Sequence, residues 1–478
     1  MKTFFSHISL TVLLNLLVKP AWILTEFWVH NQIGHESWGT YASLLSFAFL
    51  FIALSDLGIN QYAIQRLAGS PELFHRYFPN MLGTKLFLVT FYPLAILGLG
   101  YLWGFPPAEL YLLVLLAFIY GGTQLKQFYR ANFQAMQAFQ VDAFASVTER
   151  AILLVFAWIL LYTFIDIERF VYARLIAIGL SIILFSFLLA NRKGSLGIAF
   201  EIPKIRKVLT ASFSFALVTV LYSFLDKVDQ VMLERICGDR ETSLYAAAYR
   251  GMDAIHMYLM IILTIFFARF AHFISDFSMQ SRLLRLAQVL TALPLLFISV
   301  VVFFYGEILI SLLFTNSSAE EIETMTLAFK ILFVSTLTNG LFMVYSTLLS
   351  STGSIKFVNK VVLGGILLNV LLNLYLIPIQ GATGAAWATT ITLGCMGIGY
   401  VVRLAVLSQV QVPWDLLLKI VLVGVMLTGI FYWAKGRAFL PMGTIFITGL
   451  IYTALCWILG LIPAEVLPPF LKRGRTDE

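Results

Sequence analysis

The 478-residue chain is 60% hydrophobic and only 12% charged, with a mean hydropathy of +0.89. That balance excludes a soluble globular protein and points to a polytopic membrane protein. The net charge of +7 does not call for nucleic acid, because cytoplasmic loops of membrane proteins collect Lys and Arg.

A crossing needs about 20 apolar residues, and by that measure about 14 spans follow one another. The first six fall near 7–30, 40–64, 79–103, 109–130, 144–164 and 169–190. The first carries Lys2 and then an apolar run, but no small-residue cleavage site follows. It is expected to stay as a span, with Lys19-Pro20 inside it. A polar, basic stretch comes next. Six more spans lie near 208–233, 243–268, 285–305, 326–349, 358–378 and 382–407, and two more near 415–434 and 441–462. The organisation expected is a six-helix lobe over 1–195, a cytoplasmic basic linker over 196–207, a second six-helix lobe over 208–410, and a last pair of helices with a tail over 411–478.

Loop charge predicts the orientation. Lys2, Arg66, Arg76, Lys85, Lys126, Arg130, Arg150, the bases of the linker, Lys356, Lys360 and the C-terminal Lys472, Arg473 and Arg475 all fall on one side. Few bases, among them Arg169, Arg174 and Arg235, fall on the other. Both termini are therefore expected in the cytoplasm. The longest loop on the outer side, 306–326, has four glutamates and too little length for a catalytic domain. Three cysteines without CxxC spacing (Cys237, Cys395 and Cys456) define neither a disulfide framework nor a metal site. The histidines are scattered, with no metal spacing on one helix.

An internal repeat supports the two lobes. Trp38-Gly-Thr-Tyr-Ala42 opens the second span, and Ser243-Leu-Tyr-Ala-Ala247 opens the eighth. Arg66 and Arg269 close those spans at similar distances. Repeats of this kind place a transporter's cargo site near the bilayer midplane between the halves.

Charges inside spans mark function, because each costs at least about 2.5–3.5 kcal/mol to insert. Lys19, Lys227 and Arg250 form one set, Asp226, Asp229, Asp253 and Glu26 a second, and Asp56 with Arg66 a third. Internal pairing is the alternative for the bases of the first set, Lys19 with Glu26, Lys227 with its flanking aspartates and Arg250 with Asp253, and a positive-inside anchor is the alternative for Arg66. Asn369 and Asn373, four residues apart, share a helix face and suit a bond between helices. Gly381 and Gly384 mark a tight turn and not a phosphate loop.

The chain resembles the multidrug/oligosaccharidyl-lipid/polysaccharide exporter superfamily, and within it the polysaccharide-biosynthesis (Wzx-type, O-antigen) flippases. The residues that carry the likeness are Gly39-Thr-Tyr41 with Leu54-Ser-Asp-Leu-Gly-Ile59 and Arg66; Asp226 with Met232-Leu233; Tyr245-Ala-Ala-Ala-Tyr-Arg250; and Asn369, Asn373, Leu376-Ile-Pro378 with Gly381-Ala-Thr-Gly-Ala-Ala-Trp-Ala388. The resemblance implies an all-α membrane fold of about 14 helices, two six-helix lobes around a central cavity plus two C-terminal helices. It implies a transporter, not an enzyme, that flips an undecaprenyl-diphosphate-linked oligosaccharide by alternating access.

In that reading Lys19, Lys227 and Arg250 clamp the diphosphate. Asp226, Asp229, Asp253 and Glu26 are cavity or ion-coupling charges, and Asp56 and Arg66 belong to an inner gate. No cofactor is expected, and a proton or sodium gradient is the candidate driving force. Partners are the lipid-linked oligosaccharide, membrane lipids, and the glycosyltransferases and polymerase of the same pathway. The place expected is the bacterial cytoplasmic membrane. The alternative cargo is a drug, in a cation-coupled multidrug exporter. A membrane polymerase or ligase ranks last for want of a large outer loop.

Overall fold

The computed structural model describes residues 18, 20–68, 74–136, 138–160, 166–193, 196–407, 410–435 and 440–461. Over them the chain is helical, with no strand among the described residues. A first helix, α1, covers 20–33. It is followed by α2 (His35–Leu50), a 3-10 turn (Ile52–Ser55), α3 (Ile59–Ala68), α4 (Phe74–Trp103), α5 (Pro107–Ala135), α6 (Phe139–Leu160) and α7 (Ile167–Lys193). The chain continues through α8 (Ile202–Cys237), α9 (Asp239–His272), α10 (Phe277–Leu313), α11 (Ala319–Ser351), α12 (Ile355–Leu407), α13 (Trp414–Lys435) and α14 (Pro441–Ile458). Among the described residues nine helices are long and apolar enough to cross a membrane, and bent α8 makes a tenth. In order, these elements fall on the expected segments, of which the first, 7–30, lies among the described residues only at 18 and 20–30.

Besides the bent α8, two segments depart from simple rods. The expected second span is broken: α2 gives way to the 3-10 turn, and Leu57 and Gly58 then take left-handed conformations at φ 45° and 78°. For a leucine that conformation costs about 1–2 kcal/mol, so something must hold it. Asp56 does so, accepting from the Asn60 backbone N–H at 3.2 Å as a cap for α3 and pairing with Lys85. The second departure is α12. Its 53 residues would run about 80 Å at 1.5 Å per residue, far more than one crossing. Gly381, at φ 53° and ψ −129°, folds it back on itself. Gly365 of the first arm meets Met396 of the second, and Gly384 lies against the Leu376 carbonyl. The expected spans 11 and 12 are thus the arms of one hairpin.

Helix ends follow local chemistry. Ser318 and Glu321 form a reciprocal capping box at the start of α11. Asp276 caps α10, accepting from Met279 N–H at 2.9 Å. That N–H, with Ser278 beside it, holds the Asp276 carboxyl below its ordinary range. Gly238, at φ 84°, ends α8. Within α8 the segments Ile202–Phe213 and Phe215–Cys237 meet at 51°. Ser212 reaches back to the Leu209 carbonyl at 3.3 Å just before the bend, a competing bond that loosens a helix ladder.

Compactness divides the chain into 1–246 and 247–478, within α9, so α8 packs with the first unit. In that unit a core forms around Ile59, Phe74, Phe78, Phe128 and Phe185. The stretch before α8 is strapped to α4: Ala199 N–H donates to the Pro79 carbonyl at 3.1 Å, and Glu201 N–H to Asn80 at 2.9 Å. Glu201 also takes bonds from Lys204 at 2.6 Å and Asn80 at 3.2 Å, which hold its carboxyl below the usual glutamate range. In the second unit α10, α13 and α14 share a core of Val289, Leu293, Ile420, Leu427, Phe431 and Tyr452.

Candidate functional site

In the first unit the α2–α3 segment runs antiparallel to α8, joined by small polar groups at successive levels. Gly58 abuts the Ser212 carbonyl. The Ser223 hydroxyl donates to the Leu50 carbonyl at 3.0 Å, the Ser46 hydroxyl donates to Gln230, and the Thr40 hydroxyl donates to Asp239 at 2.8 Å. At the far end Gly39 lies on the backbone of Asp239, where a Cβ would overlap the carbonyl, so only glycine fits.

The same end gathers a cluster that sequence spacing did not reveal. His30 Nε2 is 2.7 Å from Ser243 Oγ and 3.1 Å from His35 Nδ1, and His35 Nδ1 is 3.0 Å from Ser243 Oγ. His30 stacks on Trp38 with centroids 4.8 Å apart. The two rings and the hydroxyl tie α1 and α2 to the start of α9. His30 and Ser243 lie 213 residues apart in the chain, so only the tertiary fold unites them.

A second polar group lies among α2, α5, α6 and α7. Lys126 pairs with Glu149, and Arg174 donates to the Tyr41 hydroxyl. Glu26 and Glu149 stand within electrostatic reach of Arg174. Lys85, counted from sequence with the loop bases, is 0% exposed inside α4, and Lys126 is buried inside α5. Both are accommodated in the interior by an acidic partner, Asp56 for Lys85 and Glu149 for Lys126.

The residues singled out from sequence distribute as follows. Lys227 lies 3.3 Å from Asp226, with 15% and 43% of the two side chains accessible. Asp229 is buried and accepts from the Tyr245 hydroxyl and from Gln230 N–H at 2.9 Å. Arg250 lies 3.3 Å from Asp253, with 26% and 32% accessible. Glu26 is buried on α1. Asp56 is buried and paired with Lys85, a partner sequence did not suggest. Arg66 lies in α3, its side chain outside the described ones, and Lys19 lies outside the described residues. Arg130, counted from sequence with the loop bases, is paired with Asp142 at 2.7 Å. Asn373 donates to Asn369 at 2.9 Å along one face of α12.

The sequence model of the polysaccharide biosynthesis protein family matches residues 5–267, more than half of the chain. The chain belongs to that family. No curated protein matches it by sequence. By structure it is similar to the lipid II flippase MurJ in an inward closed conformation, with a TM-score of 0.76 at 13% identity over 94% of this chain and 98% of the other. It is similar to a multidrug resistance MATE transporter of the MOP superfamily in an inward-facing conformation, with a TM-score of 0.65 at 13% identity over 84% of this chain and 98% of the other. It is also similar to a MOP superfamily transporter from Pyrococcus furiosus Vc1 described as having a binding pocket of reversed polarity, at 0.61 and 14% identity over 84% and 95%. At these identities the likeness fixes the fold of this family member as that of a polytopic transporter.

Proposed function

We propose that the protein is a flippase that moves a lipid (undecaprenyl) diphosphate-linked oligosaccharide across the bacterial cytoplasmic membrane by alternating access. Its product would feed cell-surface polysaccharide such as the O-antigen of lipopolysaccharide, alongside glycosyltransferases and a polymerase. Family membership and the fold shared with a lipid II flippase support this reading.

The observation that carries it is the state of Lys227 and Arg250. Both sit on long apolar helices and keep 15% and 26% of their side chains accessible. Hydrocarbon does not solvate a charge, so an accessible cation in a span faces water. Their acidic partners are on the same helix and 3.3 Å away, a pairing that an anionic cargo competes with. A diphosphate presents the charge such cations accept. Lys19 completes the proposed clamp, and the bias of loop bases supports cytoplasmic termini. Asp226, Asp229, Asp253 and Glu26 are the proposed carriers of a coupling proton or sodium ion, and Asp56 with Arg66 belongs to the proposed inner gate.

Proteoliposomes loaded with a fluorescent lipid diphosphate sugar test the reading. Wild type should move label between leaflets, and Lys227→Ala and Arg250→Ala should each slow it severely while inserting normally. Full activity in both variants would overturn the clamp. The second reading, a cation-coupled drug exporter, draws on the MATE likeness and on the accessible carboxylates of Asp226 and Asp253. Drug resistance without lipid transfer would decide for it.

A further inference from the structure

Three bases meet at the open end of the α12 hairpin, away from the groups assigned so far. Lys356 and Lys360 lie one turn apart at the start of the first arm, and Arg403 lies near the end of the second. Gly365 meets Met396 and Gly399 lies against Val361. That register brings Lys360 and Arg403 to one level of the hairpin. The Arg403 guanidinium sits 5.2 Å over the ring of Phe357, a residue that falls between the two lysines in the chain.

Among the described residues no carboxylate answers these charges. The sequence has no Asp or Glu between Glu323 and Asp415. The hairpin packs on α11, where Thr390 donates to the Ile331 carbonyl at 3.3 Å and Gly397 meets Phe342. Yet Glu323 is at the far end of α11, about 40 Å along that helix from the turn into α12 at 1.5 Å per residue. Asp415 is taken by Arg285. Arg403 Nε is buried with no hydrogen-bond partner, a costly state for a charged donor. Lys356 and Lys360 are exposed.

The face that carries the lysines continues as an apolar stripe. Leu363, Leu367 and Leu371 follow Lys356 and Lys360 at steps of three and four, on one side of the arm. All three leucines are at least half exposed, as are Ile398 and Val402 on the second arm. From Lys360 to Leu371 the stripe runs about 16 Å at 1.5 Å per residue. That is one leaflet of a bilayer whose hydrocarbon is about 30 Å thick. Cations at one end and a leaflet's length of open apolar surface beside them fit an amphiphile with an anionic head.

We propose that Lys356, Lys360 and Arg403 bind the phosphate of an anionic phospholipid whose chains lie along Leu363, Leu367 and Leu371. The lysines supply point charges, and Arg403 supplies a planar fork that matches phosphate oxygens. The Phe357 ring holds that fork in place, so little side-chain freedom is lost on binding. A zwitterionic lipid brings an ammonium of its own, which the three bases repel. The site therefore selects net negative charge, as basic pockets between membrane helices do. A free anion would meet the same bases but leave the leucines uncovered. Nothing in the site depends on which cargo is carried.

Photolabelling of the full-length protein in phosphatidylcholine vesicles tests it. Two probes with the same photoreactive acyl chain are compared, one a phosphatidylglycerol and the other a phosphatidylethanolamine. The phosphatidylglycerol probe should label the segment 361–375 far more heavily than its zwitterionic counterpart. Each base replaced, in Lys356→Gln, Lys360→Gln and Arg403→Gln, should lower that label about fivefold. Equal labelling by the two probes, or unchanged labelling in the triple variant, would overturn the site. Loss of the label on adding inorganic phosphate would overturn the lipid as its occupant. If the triple variant fails to insert, Lys356→Gln at its exposed position decides: a drop supports the site and an unchanged label rejects it. The label is read without transport, so this proposal and the cargo reading fail separately.

Discussion

Tyr41 and Tyr245 occupy one register in the two repeat motifs, each the seventh residue of its helix, and their hydroxyls serve charges of opposite sign. Tyr41 accepts from Arg174, whereas Tyr245 donates to Asp229. Both rings are fully buried. The repeat thus preserves a position and not a partner. Tyr245→Phe takes a donor from a buried carboxylate and should cost about 1–3 kcal/mol, read as a lower unfolding temperature in detergent. Tyr41→Phe takes an acceptor from the Arg174 guanidinium, whose Nε already has no hydrogen-bond partner, and should destabilise in the same range.

The Asp56–Lys85 pair should behave as a unit. Lys85→Ala alone strands a buried carboxylate and should cost about 3–5 kcal/mol, while replacing both residues by apolar ones of similar volume should recover much of that loss. A double-mutant cycle on unfolding free energy measures the coupling. Simple additivity would show that the pair does not hold the α2–α3 break.

The hairpin within α12 depends on close approach at Gly384. A Cβ there meets the Leu376 carbonyl, which is backbone and not a flexible side chain. Gly384→Val should therefore part the two arms and destabilise by about 1–3 kcal/mol. The check is protease cleavage between residues 376 and 390, which should rise in the variant and stay low in wild type.

Asp276 gives a pH signature away from the spans. Its folded carboxyl titrates below its unfolded value, so its contribution is fully present above about pH 3.9 and fades as pH falls through the folded value. Asp276→Asn should lower the unfolding temperature slightly at neutral pH, and the difference should vanish in strong acid. A difference that grows on acidification would contradict the assignment.

The order of the spans was readable because each needs a run of apolar residues, and hydropathy reports such runs directly. Gly381 was legible as a turn because few other residues adopt its conformation. The break at Asp56 was not, since Leu-Gly inside an apolar stretch looks like continuous helix and the lysine that stabilises it is 29 residues on. Lys126 and Arg174 were assigned to loops because charge near a span end resembles an anchor, yet both helices carry them inward to Glu149 and Tyr41. The His30–Ser243 contact joins segments on either side of seven helices, and no local pattern announces it.

The face that α2 shares with α8 and the start of α9 is stitched by Thr40, Ser46 and Ser223 and by carbonyls. Each of these groups bonds to a water molecule about as readily as to its present partner. A greasy joint, once parted, leaves apolar surface that water penalises in proportion to area. A hydroxylated joint leaves wettable walls. The bonds that hold this joint are therefore ones water can replace at little cost, whereas its apolar contacts, such as Phe51 on Phe224, are not.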